Sequence, residues 1–150
     1  LEGSEIGAAF GLAQLKKLEK NIKTRQENFN LQCNFFNKYN DIFSNPIELP
    51  GCNTAWLAFP ILIKKEAKFS RKEFQIFLEE RLIQTRVVFT GNVLRQPMCK
   101  EINKRTRKQG YDNSDSIMER GVLLPLHHGM TSEMFKRLHN CIDEFIATKS

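Results

Sequence analysis

The chain lacks any apolar stretch of about 18 residues, so no segment of it reads as a membrane-spanning helix. It lacks a C-x-x-C pair. Its four cysteines, Cys33, Cys52, Cys99 and Cys141, stand nineteen or more positions apart, which removes zinc-ribbon and redox-pair chemistry. A disulfide framework belongs to chains too short to bury a core, and 150 residues are enough to bury one. The cysteines therefore read as reduced thiols, most of them core residues, of a cytoplasmic protein. There is no Gly-rich phosphate loop, no H-E-x-x-H, no G-x-S-x-G and no pair of metal ligands at helical spacing. Each absence removes a reaction class. There is also no opening Met and no charged-then-apolar leader. Leu1-Glu2-Gly3-Ser4 read as partly vector-derived, and the chain reads as starting inside a structure whose earlier part lies upstream.

What remains is globular in composition, with 41% hydrophobic and 27% charged residues. The net charge is +6. Residues 100–108 hold five basic side chains and one acid, so that short run carries most of the excess. It has no interleaved aromatics, which base stacking needs. It reads as a solvated loop, with electrostatic help for an anionic small molecule as the functional alternative. Nucleic-acid binding through it is the weakest of the three readings, and no nucleic-acid partner is expected.

The apolar pattern organises the chain. Residues 5–39 read as one long helix of roughly 50 Å, with Ile22, Phe29, Cys33 and Phe36 as its stripe and a break near residues 28–30. Gly7, Ala8, Ala9, Gly11 and Ala13 crowd its opening turns. Gly is unfavourable inside a helix, so these small residues point to close approach by a backbone absent from this chain or by a second subunit. Residues 55–63 read as a buried strand, with Pro60 implying an edge or bulge. Ser70 and Glu73 form a capping box, with Phe69 and Phe74 as its staple, and open a helix ending near Arg81. Residues 85–90 read as a strand and 91–111 as a polar connection. Residues 113–120 read as a helix capped by Asn113 or Ser114 and stopped by Gly121, and 122–124 as a strand. Thr131 caps a last helix carrying Phe135, Leu138, Ile142, Phe145 and Ile146 on one face. The expected fold is α+β: about three strands covered by helices on one face, preceded by the long helix. The expected division is a linking helix at 1–40 and a small α/β domain at 41–150.

Candidate site residues cluster just after the 85–90 strand: Arg86, Asn92, Arg95 and Gln96. Loops at strand ends commonly carry binding groups. Arg offers a fork for phosphate or carboxylate, and Asn offers both donor and acceptor to a sugar hydroxyl. Ordinary loop polarity is the competing reading. His127 and His128 sit in a turn, and adjacent residues of an extended turn point opposite ways, which disfavours one shared metal. A substrate-facing role for one of them competes with a surface role. His139, beside Leu138 on the last helix, reads as structural.

Ser4-Glu5-Ile6-x-Ala8-Ala9-x-Gly11-Leu12-Ala13-Gln14-Leu15-x2-Leu18, followed by Arg25, resembles a helix of the DegT/DnrJ/StrS sugar aminotransferases. The strand at 56–63, the segment 85–97 and the turn at 124–131 continue the resemblance over nearly the whole chain. It implies the C-terminal small domain of an enzyme of the aspartate-aminotransferase fold (fold type I), dependent on pyridoxal or pyridoxamine phosphate. Thr85-Arg86-Val87-Val88-Phe89-Thr90-Gly91-Asn92-Val93-Leu94-Arg95-Gln96-Pro97 resembles the branch of CDP-4-keto-6-deoxyglucose 3-dehydratase, which acts in lipopolysaccharide sugar synthesis. Leu124-Pro125-Leu126-His127-His128-Gly129 is closer to the aminotransferase branch, so 3-dehydration and transamination both stand. In that family the coenzyme's lysine, or the histidine replacing it, lies upstream of the Ala8-Ala9 helix. No coenzyme-binding or catalytic residue is therefore expected within these 150 residues, and Lys16 and Lys17 read as exposed lysines of a regular helix. The implied partners are a nucleotide-sugar substrate and a second copy, paired through the N-terminal helix. Asn92 and Arg95 are expected to face the sugar nucleotide, Arg86 to orient their loop, and His127 or His128 to reach the same mouth. The alternative is a non-catalytic module that dimerises through that helix.

Overall fold

A computed structural model describes residues 3–149. Leu1 and Glu2, half of the opening segment read as vector-derived, lie outside the described residues. Ser4 accepts a hydrogen bond from Gly7 N and caps helix α1 (Glu5–Leu15). The single helix expected over 5–39 is two. Lys17 N bonds Gln14 O, a tighter turn that interrupts the i−4 ladder, and α2 (Leu18–Phe36) follows. The break is thus at Lys16 and Lys17, which are exposed at the joint rather than within a regular helix. Residues 28–30 are continuous helix, because there α2 lays Phe29, Gln32 and Phe36 into the core. None of α1 is buried, so it has no packing reason to keep α2's axis.

Among the described residues, four strands form one antiparallel sheet. They are β1 (Phe43–Ser44), β2 (Ala58–Ile63), β3 (Arg86–Val87) and β4 (Gly121–Pro125), in the order β1-β2-β4-β3. Three were expected. β1 has only two residues and exists through pairing with Ile63 and Leu62. Because β1 reaches no further, Pro60 has β4 on one side and no strand on the other, where its missing amide is harmless. The strand expected over 85–90 is cut to Arg86–Val87. Phe89 turns to φ +46, and Gly91 N closes a turn onto Val88 O.

The register sets Phe59 opposite Leu124 and Ile61 opposite Val122. These buried side chains share one sheet face and one core with Phe36 of α2 and with helices α3 (Arg71–Glu80) and α5 (Ser132–Ala147). Phe74 and Leu78 come from α3, and Leu138, Ile142 and Phe145 from α5. The opposite sheet face, Pro60, Leu62 and Leu123 among it, is only half-buried. Helices on one face of an antiparallel sheet are the α+β arrangement expected. The capping box of Ser70 and Glu73 is present, and Thr131 caps α5. Helix α4 (Asp112–Arg120) differs in detail: it starts after Tyr111 without a side-chain cap, and Gly121 is extended and begins β4.

Candidate functional site

The predicted residues fall into two clusters. The first is the loop between β3 and α4, and α4 is its platform. Gly91 has φ +61, and a Cβ there would lie 2.2 Å from the Met118 Cβ, so only glycine lets the loop sit on α4. Asn92 follows and is buried. Its Oδ1 accepts from Leu94 N at 3.0 Å, starting a short 3-10 turn over Val93–Arg95. Its Nδ2 donates to Asp115 Oδ1 at 2.7 Å. Arg95 donates to the same carboxylate, Nε to Oδ1 at 3.0 Å and Nη2 to Oδ2 at 2.7 Å. The Gln96 amide donates to Thr90 O at 3.1 Å and ties the loop's two arms together. Arg95 first, and then Asn92, hold the Asp115 carboxyl down to about 2.

Asp115 is the residue that sequence reasoning missed. Its signal was its place in the first turn of α4, where a helix favours a negative charge. Arg86, expected to orient the loop, is exposed in β3, and its side chain has no hydrogen-bond partner among the described residues. The carboxylate that bonds the loop's Asn92 and Arg95 side chains is that of Asp115. The platform is tied in turn to α3, where Arg71 donates to Met118 O at 2.7 Å, and to β2, where Arg120 donates to Ile63 O at 2.6 Å.

The second cluster lies beyond the other end of β4. Asn28 donates to His127 O at 2.9 Å. Arg25 donates to Trp56 O at 3.0 Å and lies 3.4 Å from His128 Nδ1. Trp56 stacks on Phe29 with centroids 4.7 Å apart. His127 Nδ1 accepts from Gly129 N at 3.1 Å, which puts the neutral ring's proton on Nε2. The two imidazoles are 6.5 Å apart and nearly perpendicular, and no group of three metal-ligating side chains occurs among the described residues. Gly91 and Asn92 pack where β4 begins, whereas His127 follows where it ends. The intervening strand spans about 13 Å. The two clusters thus lie toward opposite ends of β4.

His139 is half-buried. It stacks on Phe35 at 3.8 Å, its Nε2 pairs with Gln32 Oε1 at 2.8 Å, and burial first of all pushes its pKa down to about 4. Residues 100–108 are all exposed. A hollow of about 510 Å³ beside the end of β2 and α4 is lined by charges of both signs, Lys64, Lys68, Glu73 and Glu119 among them. Its two arginines, Arg71 and Arg120, each donate one Nη1 bond to a backbone carbonyl.

The chain is similar to several sugar enzymes. The lipopolysaccharide biosynthesis protein RfbH of Salmonella typhimurium is 29% identical over 145 residues, 97% of this chain and 33% of that protein. The dTDP-4-dehydro-2,6-dideoxy-D-glucose 3-dehydratase of Saccharopolyspora spinosa is 29% identical over 150 residues, 100% of this chain and 32% of its own length. The solved structure of E. coli GDP-4-keto-6-deoxy-D-mannose-3-dehydratase with bound hydrated PLP superposes with a TM-score of 0.75 at 25% identity. That match covers 89% of this chain and 33% of the E. coli chain. The chain thus spans about a third of the length of the relatives it matches. Residues 4–143, from the cap of α1 to the last turns of α5, match one family along their whole run, and this chain belongs to it: the DegT/DnrJ/EryC1/StrS aminotransferases.

Proposed function

We propose that this chain is the C-terminal portion of a pyridoxal- or pyridoxamine-phosphate-dependent enzyme. Its substrate is a nucleotide-linked 4-keto-6-deoxy sugar, and its setting is the synthesis of lipopolysaccharide or O-antigen sugars in the cytoplasm. The observation that carries the reading is the match, end to end, to relatives named as 3-dehydratases, over a segment holding the preorganised loop of Asn92 and Arg95. The coenzyme, when bound, supplies an electron sink for chemistry beside the sugar's keto group. The residues present contribute binding and closure. The loop on α4 offers a cation, Arg95, in fixed geometry, and Arg86 adds a second, unpartnered one on the neighbouring strand. The division into a linking helix at 1–40 and a small domain at 41–150 belongs to the same reading. So do the expectations that α1 is covered in the complete enzyme by the preceding domain or a second copy, and that isolated residues 1–150 are inactive.

The longer protein, supplied with pyridoxal or pyridoxamine phosphate, an amino donor and CDP-, GDP- or dTDP-4-keto-6-deoxyhexose, is the test, with products read by mass spectrometry. Replacement of the keto oxygen by an amine is transamination. Loss of the C3 hydroxyl is 3-dehydration. Unchanged substrate in every combination sinks the reading.

A further inference from the structure

We propose that Asp115 is a positioning residue: it clasps Arg95 by one edge so that the opposite edge is presented to the diphosphate of the nucleotide-linked substrate. This rests on the function proposed above and names the group that shapes its anion contact.

The geometry carries the argument. A guanidinium has five N–H donors in a planar fork. The side-on clasp uses two of them, Nε–H and one on Nη2. The other three lie on Nη1 and the outer side of Nη2. They have no partner among the described residues, and the Arg95 side chain is 64% exposed. That free edge matches two phosphate oxygens. The clasp is itself braced. Asn92 donates to the same Oδ1 that receives Nε, so a donor independent of the arginine restrains the carboxylate when Arg95 moves. Leu94 N holds Asn92 in turn, and Gly91 pins the loop's start to Met118, on the helix that carries Asp115. An exposed ion pair contributes little to stability, so holding the fold together is a poor account of this arrangement. Fixing one rotamer of a long, flexible side chain before an anion arrives is a better one, since that ordering otherwise opposes binding.

The experiment uses the full-length enzyme, with CDP, GDP and dTDP as probes in isothermal titration calorimetry. Arg95→Ala and Asp115→Asn should each weaken the best-bound nucleotide about tenfold, with KM for the sugar nucleotide rising and kcat nearly unchanged. The double variant should bind no worse than Arg95→Ala alone, because Asp115 acts only through Arg95. Asp115→Glu keeps the charge on a longer stem and should recover part of the loss. A merely structural Asp115 would lower the unfolding temperature and leave nucleotide affinity alone. Asp115→Asn binding like wild type, or losses that add in the double variant, overturns the proposal alone. Wild-type enzyme that binds none of the three nucleotides overturns it together with the function on which it rests.

Discussion

His139 shows how one side chain ties the first and last helices of the core together. It stacks on Phe35 and bonds Gln32, a fully buried amide whose other partner is Pro125 O at the end of the sheet. Replacing it with leucine keeps some packing but leaves Gln32 Oε1 buried without a donor. His139→Leu should cost about 1–3 kcal/mol in urea unfolding. Acid acts at the same place. The folded state resists protonating this ring until about pH 4, while the unfolded chain takes the proton near 6.5. Between those values the unfolded state binds more protons, so stability falls as pH falls from about 6.5 to 4. Unfolding midpoints measured across that window should show the slope, and His139→Leu should flatten it. At the loop, the exposed Arg86 offers a contrast with Arg95. Arg86→Ala should leave the Asn92–Asp115–Arg95 cluster intact, so any loss of substrate affinity in the full-length enzyme would report direct contact, visible as a raised KM.

Among the elements, α3 is held most locally. Ser70→Ala removes the hydroxyl that accepts from Glu73 N and donates to the Glu73 carboxylate, leaving only the return bond from Ser70 N, and should lower stability by about 1 kcal/mol in thermal unfolding. Gly91→Ala tests a longer-range dependence. A methyl group at φ +61 and 2.2 Å from Met118 must push the loop off α4, and should cost more than about 1 kcal/mol. If Gly91→Ala unfolds with the wild type, the loop has another seat. The same distinction decides what could be read from residues alone. The caps at Ser70 and Thr131 were legible because donor and acceptor are three residues apart. The buried face of α5 was legible from its period. β1 was not, because two residues become a strand only through β2, and the shortening of β3 depends on Met118, far along the chain. Arg95 and Asn92 stood out by residue type, whereas their common partner Asp115 lies 20 residues beyond Arg95 in another element. Gln32 hid for the same reason: an amide in an apolar stripe looks misplaced until His139, 107 residues on, is folded against it.

At the scale of the whole molecule, α1 stands apart from the core. Ile6 is 83% and Phe10 67% exposed, and Gly11 has no atom within 4 Å of where a side chain would begin. If the rest of the enzyme or a second copy covers this helix, Phe10→Asp in the full-length protein should cost about 2–5 kcal/mol, as burial of a large apolar side chain implies. An unchanged unfolding temperature would mean that α1 stays in water.

The bare flank of β2 has its own consequence. From Ala58 to Ile61 no strand of the described residues lies on the side away from β4, and such a flank invites hydrogen bonding by any stray extended peptide. Pro60 sits in the middle of that flank and breaks its run of amide donors. Pro60 thereby works against ribbon-like stacking of further backbone along this flank.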